Sequence, residues 1–81
     1  MAQVHFSAGL REFTGGLARV EIQESNVRRL IAALDDMFPG IGERLSEGSS
    51  VAIDGEILTD AEFEPVPDDA EVHFLDILQG G

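Results

Sequence analysis

Gly80 and Gly81, which close the sequence, are the residues whose type and place best suit chemistry. Neither carries a Cβ, and both reach backbone conformations closed to other residues, so a carboxylate on Gly81 is sterically open and can be drawn through a narrow channel. Ordering such an end costs roughly 1–2 kcal/mol of backbone entropy per residue, so the body of the chain has to supply docking surface. A carboxylate is anionic and resonance-stabilised, which makes it a poor electrophile until it is activated. Once activated as an acyl donor, it would meet no side-chain amine on its own chain. All five basic residues are arginine and lysine is absent, and a guanidinium that stays protonated is a poor substitute nucleophile.

The other polar residues offer less. His5 and His73 fall at outward positions of two expected strands; two isolated histidines on a sheet surface are read as solvated, and no metal ligand is assigned. Asp68, Asp69 and Glu71 lack the glycine and bidentate glutamate of a calcium loop and read as a turn. Gly15-Gly16 has no phosphate-loop context. With no cysteine, there is no disulfide framework, thiolate metal site or Cys-His pair. The histidines, both on strands, offer no Ser-His-Asp set.

The elements that must carry these residues follow from periodicity. Gln3 to Ser7 alternates polar and apolar residues, with Val4 and Phe6 on the inner face. Leu17 to Ile22 alternates again with Val20 and Ile22 in register, and Thr14-Gly15-Gly16 between them supplies turn chemistry for a hairpin. Ser25 or Asn26 can cap a helix whose stripe is Val27, Leu30, Ile31, Leu34 and Phe38, ended by Pro39-Gly40. Ile41 to Leu45 suggests a short helical turn. Val51 to Leu58 reads as a tight hairpin around Asp54-Gly55, a pair suited to a type I′ turn. A polar loop leads to a last strand over Glu71–Leu75.

One helix must therefore bury its stripe on one face of a mixed sheet of four to five strands, with the first and last strands central and parallel. That is the α+β, β-grasp (ubiquitin-like) arrangement. The 81 residues form a single domain, with 76–81 as a flexible C-terminal tail. Leu75, Ile77, Leu78 and Gln79 lie next to that tail and are the expected partner contacts, although Ile77 or Leu78 could instead fold back onto the core.

Charge narrows the partners. Sixteen acidic residues against five basic ones give a formal net charge of −11. Nucleic acid and anionic membrane are disfavoured, since both require cationic patches. A basic protein surface would be attracted and its encounter steered, while the same acidity also serves solubility. Met1-Ala2-Gln3 leads straight into an alternating segment, with no apolar run of signal or membrane length, so a cytoplasmic protein is expected.

Four segments carry a resemblance. Phe6-Ser7-Ala8-Gly9-Leu10-Arg11-Glu12-Phe13-Thr14-Gly15, Val51-Ala52-Ile53-Asp54 and Asp69-Ala70-Glu71-Val72 resemble MoaD-like sequences, and Pro39-Gly40-Ile41-Gly42-Glu43-Arg44-Leu45 resembles CysO-like ones. With Gly80-Gly81 in register at the end, the chain resembles the MoaD/ThiS family of ubiquitin-like sulfur carriers along nearly its whole length. Asp76-Ile77-Leu78-Gln79 stands where many members have a proline-containing tail.

The resemblance implies a cycle. A ubiquitin-activating-type (MoeB/ThiF-like) enzyme uses ATP to adenylate the Gly81 carboxylate, and a sulfurtransferase or persulfide donor turns it into a thiocarboxylate. A MoaE-like or cysteine-synthase-like enzyme then accepts the sulfur. The chain itself would bind no cofactor and would be a co-substrate rather than an enzyme. A MoaD-like role in molybdenum cofactor biosynthesis is the first expectation. The alternatives are a CysO-type donor for cysteine or another thio-metabolite, a ubiquitin-like modifier of lysines, and a passive interaction domain.

Overall fold

The computed structural model describes the backbone of residues 1–58 and 62–76, with the side chains of all of these except 47–49 and 76. Alternation makes β1 (Ala2–Phe6) a half-buried strand, with Ala2, Val4 and Phe6 inward and Gln3 and His5 outward. β2 (Arg19–Ile22) returns antiparallel, placing Val20 opposite Val4 and Ile22 opposite Ala2. Their connection is more structured than a glycine loop. Residues Ala8–Leu10 form one turn of 3-10 helix that buries Leu10. The buried Thr14 hydroxyl donates to the Leu17 carbonyl at 2.8 Å. Leu17 thus belongs to the turn and is exposed, and the strand begins at Arg19 instead.

α1 (Val27–Met37) starts where capping chemistry requires: the Asn26 side chain accepts from the Arg29 amide at 2.9 Å. Val27, Leu30 and Leu34 are buried, with Ile31 and Phe38 packed against them, as the 3.6-residue spacing demands. The segment 62–66 supports the first turn. The Val27 and Arg28 amides donate to the Glu64 and Glu62 carbonyls, and the Val66 amide donates to that of Ser25. Val66 is buried by this arrangement, inside what the sequence presents as a polar loop.

At its other end α1 stops before Pro39, and Gly40 takes a φ of 98°, a left-handed conformation that favours glycine. The Asp35 carboxylate accepts from the amides of Gly40 and Gly42, at 3.1 and 3.0 Å. A Cβ on Gly42 would meet the Asp35 Cβ at 3.0 Å, so the close approach itself calls for glycine. The expected short turn is a two-turn helix, α2 (Ile41–Gly48), which packs on α1 and buries Ile41 and Leu45, one turn apart.

β3 (Ser49–Ile53) and β4 (Glu56–Leu58) form the expected hairpin, with φ of 50° at Asp54 and 87° at Gly55 as a type I′ turn needs. β5 (Glu71–Asp76) inserts between β1 and β3 and runs one residue beyond the expected strand. The sheet order is β2-β1-β5-β3-β4, parallel only between β1 and β5. The core lies between the sheet's inner face and α1, with Phe74, Leu10, Leu30, Leu34, Ile41, Val4 and Val72 fully buried. This is the β-grasp fold: a mixed five-stranded sheet on one main helix.

Candidate functional site

β5 is the last element among the described residues, ending at Asp76. Its Val72 and Phe74 side chains are locked in the core, which fixes Glu71, His73 and Leu75 on the opposite, outer face. Leu75 is half-buried and pairs in register with Ser50. Of the other residues expected to act, Ile77, Leu78, Gln79, Gly80 and Gly81 lie outside the described residues.

Beside Leu75 the outer face continues across the sheet. Ala52 is the register partner of His73, and Ile57 that of Ala52; Ile57 is 66% exposed. Sequence reasoning passes over Ile57 as a surface residue. The signal is nevertheless present, because Leu58 turns inward and strict alternation sends Ile57 outward.

The two histidines are not the isolated, solvated pair that their separation in sequence suggests. Parallel pairing sets His5 directly against His73, and their rings stack with centroids 4.3 Å apart and planes 7° from parallel. His5 Nε2 is shielded from solvent and has no hydrogen-bond partner. The Glu71 carboxylate lies 3.7 Å from it, beyond hydrogen-bond distance. Burial lowers the His5 pKa below its ordinary value. The charge of His73 adds to the lowering, Glu71 opposes it and Arg19 contributes a further decrease. One donor atom from each of His5, Glu71 and His73 falls within 4.8 Å of the others, a set chemically able to hold a metal ion.

The acidic residues near β5 serve structure. Asp69 adopts a left-handed φ of 61° in the turn, and its carboxylate accepts from the Met1 amino group at 3.0 Å. Asp54 accepts from the Glu71 amide at 2.9 Å, pinning the β3–β4 turn to the start of β5. Among the described residues, no helix is long and apolar enough to cross a membrane.

Three solved structures share this fold across nearly the whole chain. A chain of the Amycolatopsis orientalis BexX/CysO complex is 24% identical, with a TM-score of 0.88 and complete coverage of both chains. Mycobacterium tuberculosis CysO is 20% identical with a TM-score of 0.86, over 96% of this chain and all of that one. A putative molybdopterin converting factor, subunit 1, from Pyrococcus furiosus is 19% identical with a TM-score of 0.66, over 95% and 97%. No curated protein matches the chain. The ThiS family model matches residues 4–81, from the middle of β1 through the two glycines. A helix-backed grasp sheet whose central β5 leads to a Gly-Gly end thus coincides with a family match spanning almost every residue: the chain belongs to the ThiS family of ubiquitin-like sulfur carriers.

Proposed function

We propose that the chain carries sulfur on its own C-terminus, as a thiocarboxylate formed at Gly81. The observation that carries this reading is the family match running through Gly80 and Gly81. A carboxylate oxygen attacks the α-phosphorus of ATP in an activating partner, and pyrophosphate leaves. Sulfide, or the outer sulfur of a donor persulfide, then attacks the acyl carbon and AMP leaves. With sulfide the product is the thiocarboxylate; with a persulfide, a donor thiol cleaves the acyl disulfide and is itself oxidised to a disulfide. The thiocarboxylate sulfur attacks an electrophilic carbon held by the accepting enzyme and displaces its leaving group, giving a thioester. Water then cleaves the acyl–sulfur bond, leaving a thiol on the acceptor and restoring the Gly81 carboxylate.

The chain's own part is presentation. β5 anchors the chain as far as Asp76, and Leu75 with Ile57 offers apolar surface on the sheet's outer face. Ile77, Leu78 and Gln79 complete the contact with partners, and catalysis resides in those partners. Two recipients have support. The MoaD-like segments favour molybdopterin synthesis, with the tail inserted into a large subunit. The Pro39–Leu45 segment favours a CysO-type donor to an amino acid or other thio-metabolite, as does the closer backbone agreement with the two CysO-containing structures.

Intact-mass measurement after incubation with the cognate activating enzyme, ATP and a sulfur donor tests the proposal. The expected gain equals the replacement of one oxygen by one sulfur, and deletion of Gly81 should abolish it. A truncated protein that still delivered sulfur would overturn the reading. Lysine-linked adducts without any thiocarboxylate would point to a protein modifier instead. Offering the thiocarboxylated protein to a MoaE-like and a cysteine-synthase-like enzyme in turn separates the two recipients.

A further inference from the structure

The sheet's outer face carries a group of side chains that sulfur carriage does not use. His5 comes from β1, and Glu71 and His73 come from β5, two residues apart on the same face. These are adjacent, parallel, central strands, each paired on both sides, so the Cα positions of all three residues are fixed by the sheet ladder. α1 occupies the other face; on the outer one Glu71 is exposed and the two histidines are half-buried.

We propose that His5, His73 and Glu71 form a binding site for a divalent transition metal, with Zn²⁺ as its representative occupant. Two imidazole nitrogens and one carboxylate oxygen match the three-ligand zinc sites that leave a fourth position for water. Magnesium and calcium prefer all-oxygen shells and are poor candidates for a site with two nitrogens. The donor atoms lie within 4.8 Å of one another. Tetrahedral zinc at about 2.0–2.1 Å from each donor needs them about 3.4 Å apart. Ligation would therefore require side-chain rotation that unstacks the rings and turns their nitrogen edges together.

One further observation supports the site. His5 Nε2 is the one side-chain polar atom, among the described residues, that is shielded from solvent with no hydrogen-bond partner. No hydrogen bond therefore holds this nitrogen in another role. Arg19, the register partner of His5 on β2, opposes a cation, but Glu71 and a net charge of −11 outweigh one guanidinium.

The test is calorimetric titration of the untagged protein with Zn²⁺, alongside His5→Ala, His73→Ala, the double variant and Glu71→Gln. One ion per chain should bind to the wild type. Each single histidine variant should weaken binding by about tenfold or more, since even the outer partners of metal ligands are worth that much. Glu71→Gln should weaken it less. As a readout independent of variants, the protein's two histidines give a simple imidazole NMR spectrum. Both sets of ring signals should shift together, saturating at one equivalent of Zn²⁺ and ignoring Mg²⁺. The proposal is overturned if the double variant binds Zn²⁺ as tightly as the wild type, or if zinc spreads over many weak carboxylate sites while the ring signals stay still. Both measurements are indifferent to thiocarboxylate formation, so the site stands or falls separately from the proposed function.

Discussion

His5 is the residue whose surroundings set it furthest from ordinary surface behaviour. Burial and the neighbouring His73 lower its pKa below the usual 6.5, with Glu71 pulling the other way and Arg19 adding to the decrease. A lowered pKa means that, between the folded and unfolded values, the unfolded chain binds more protons than the folded one. Stability then rises with pH across that window. His5 therefore contributes fully above pH 6.5, and its contribution is lost as pH falls through the folded pKa. Denaturation midpoints measured against pH with a chelator present should show a decline below about pH 6.5 that His5→Gln removes. Parallel curves for the two proteins would refute the assignment. At the same scale, the proposed function makes Gly81 the residue that takes up sulfur, so its deletion is the most severe change foreseen for function.

Among the elements, the junction of α1 and α2 rests on one side chain. Asp35 accepts two amide hydrogen bonds, from Gly40 and Gly42, and these fix the angle at which α2 leaves α1. Asp35→Ala should cost about 1–2 kcal/mol, the usual worth of a helix-terminus cap, read as a lower urea midpoint with an unchanged slope. The boundaries of α1 are legible in the residues alone. The Asn26 cap, the stripe from Val27 to Phe38 and the Pro39-Gly40 stop are local signals, and so is Asp54-Gly55 in its hairpin. α2 is harder to see. Two glycines, at 42 and 48, weaken its intrinsic preference, and its one apolar pair, Ile41 and Leu45, becomes decisive only through docking on α1. The histidine pair is hidden for a related reason. Alternation sends both side chains outward, but the register that places them face to face belongs to β1 and β5, at opposite ends of the chain.

For the molecule as a whole, charge is the dominant property. A net charge of −11 on 81 residues creates a long-range negative field. Association with an activating partner that presents a basic docking face should be electrostatically steered. Its rate constant should fall by about tenfold or more from low to physiological salt, while dissociation changes far less. Stopped-flow mixing at several ionic strengths measures this directly; a salt-independent rate would place the apolar face around Leu75 and Ile57, rather than charge, in control of encounter. Lysine's absence has a chemical counterpart at this scale, since a Gly81 activated as proposed would meet no side-chain amine among these 81 residues on any other copy.

The position of β5 also has a mechanical consequence. It is bonded along one edge to β1 and along the other to β3. Tension applied at Asp76 along the strand axis would therefore load two ladders lengthwise, in shear. All their bonds must slip together, whereas a strand at the sheet's margin can be peeled away bond by bond. A pull transmitted through Asp76 thus meets a strand held on both sides, which resists unravelling better than a marginal strand would.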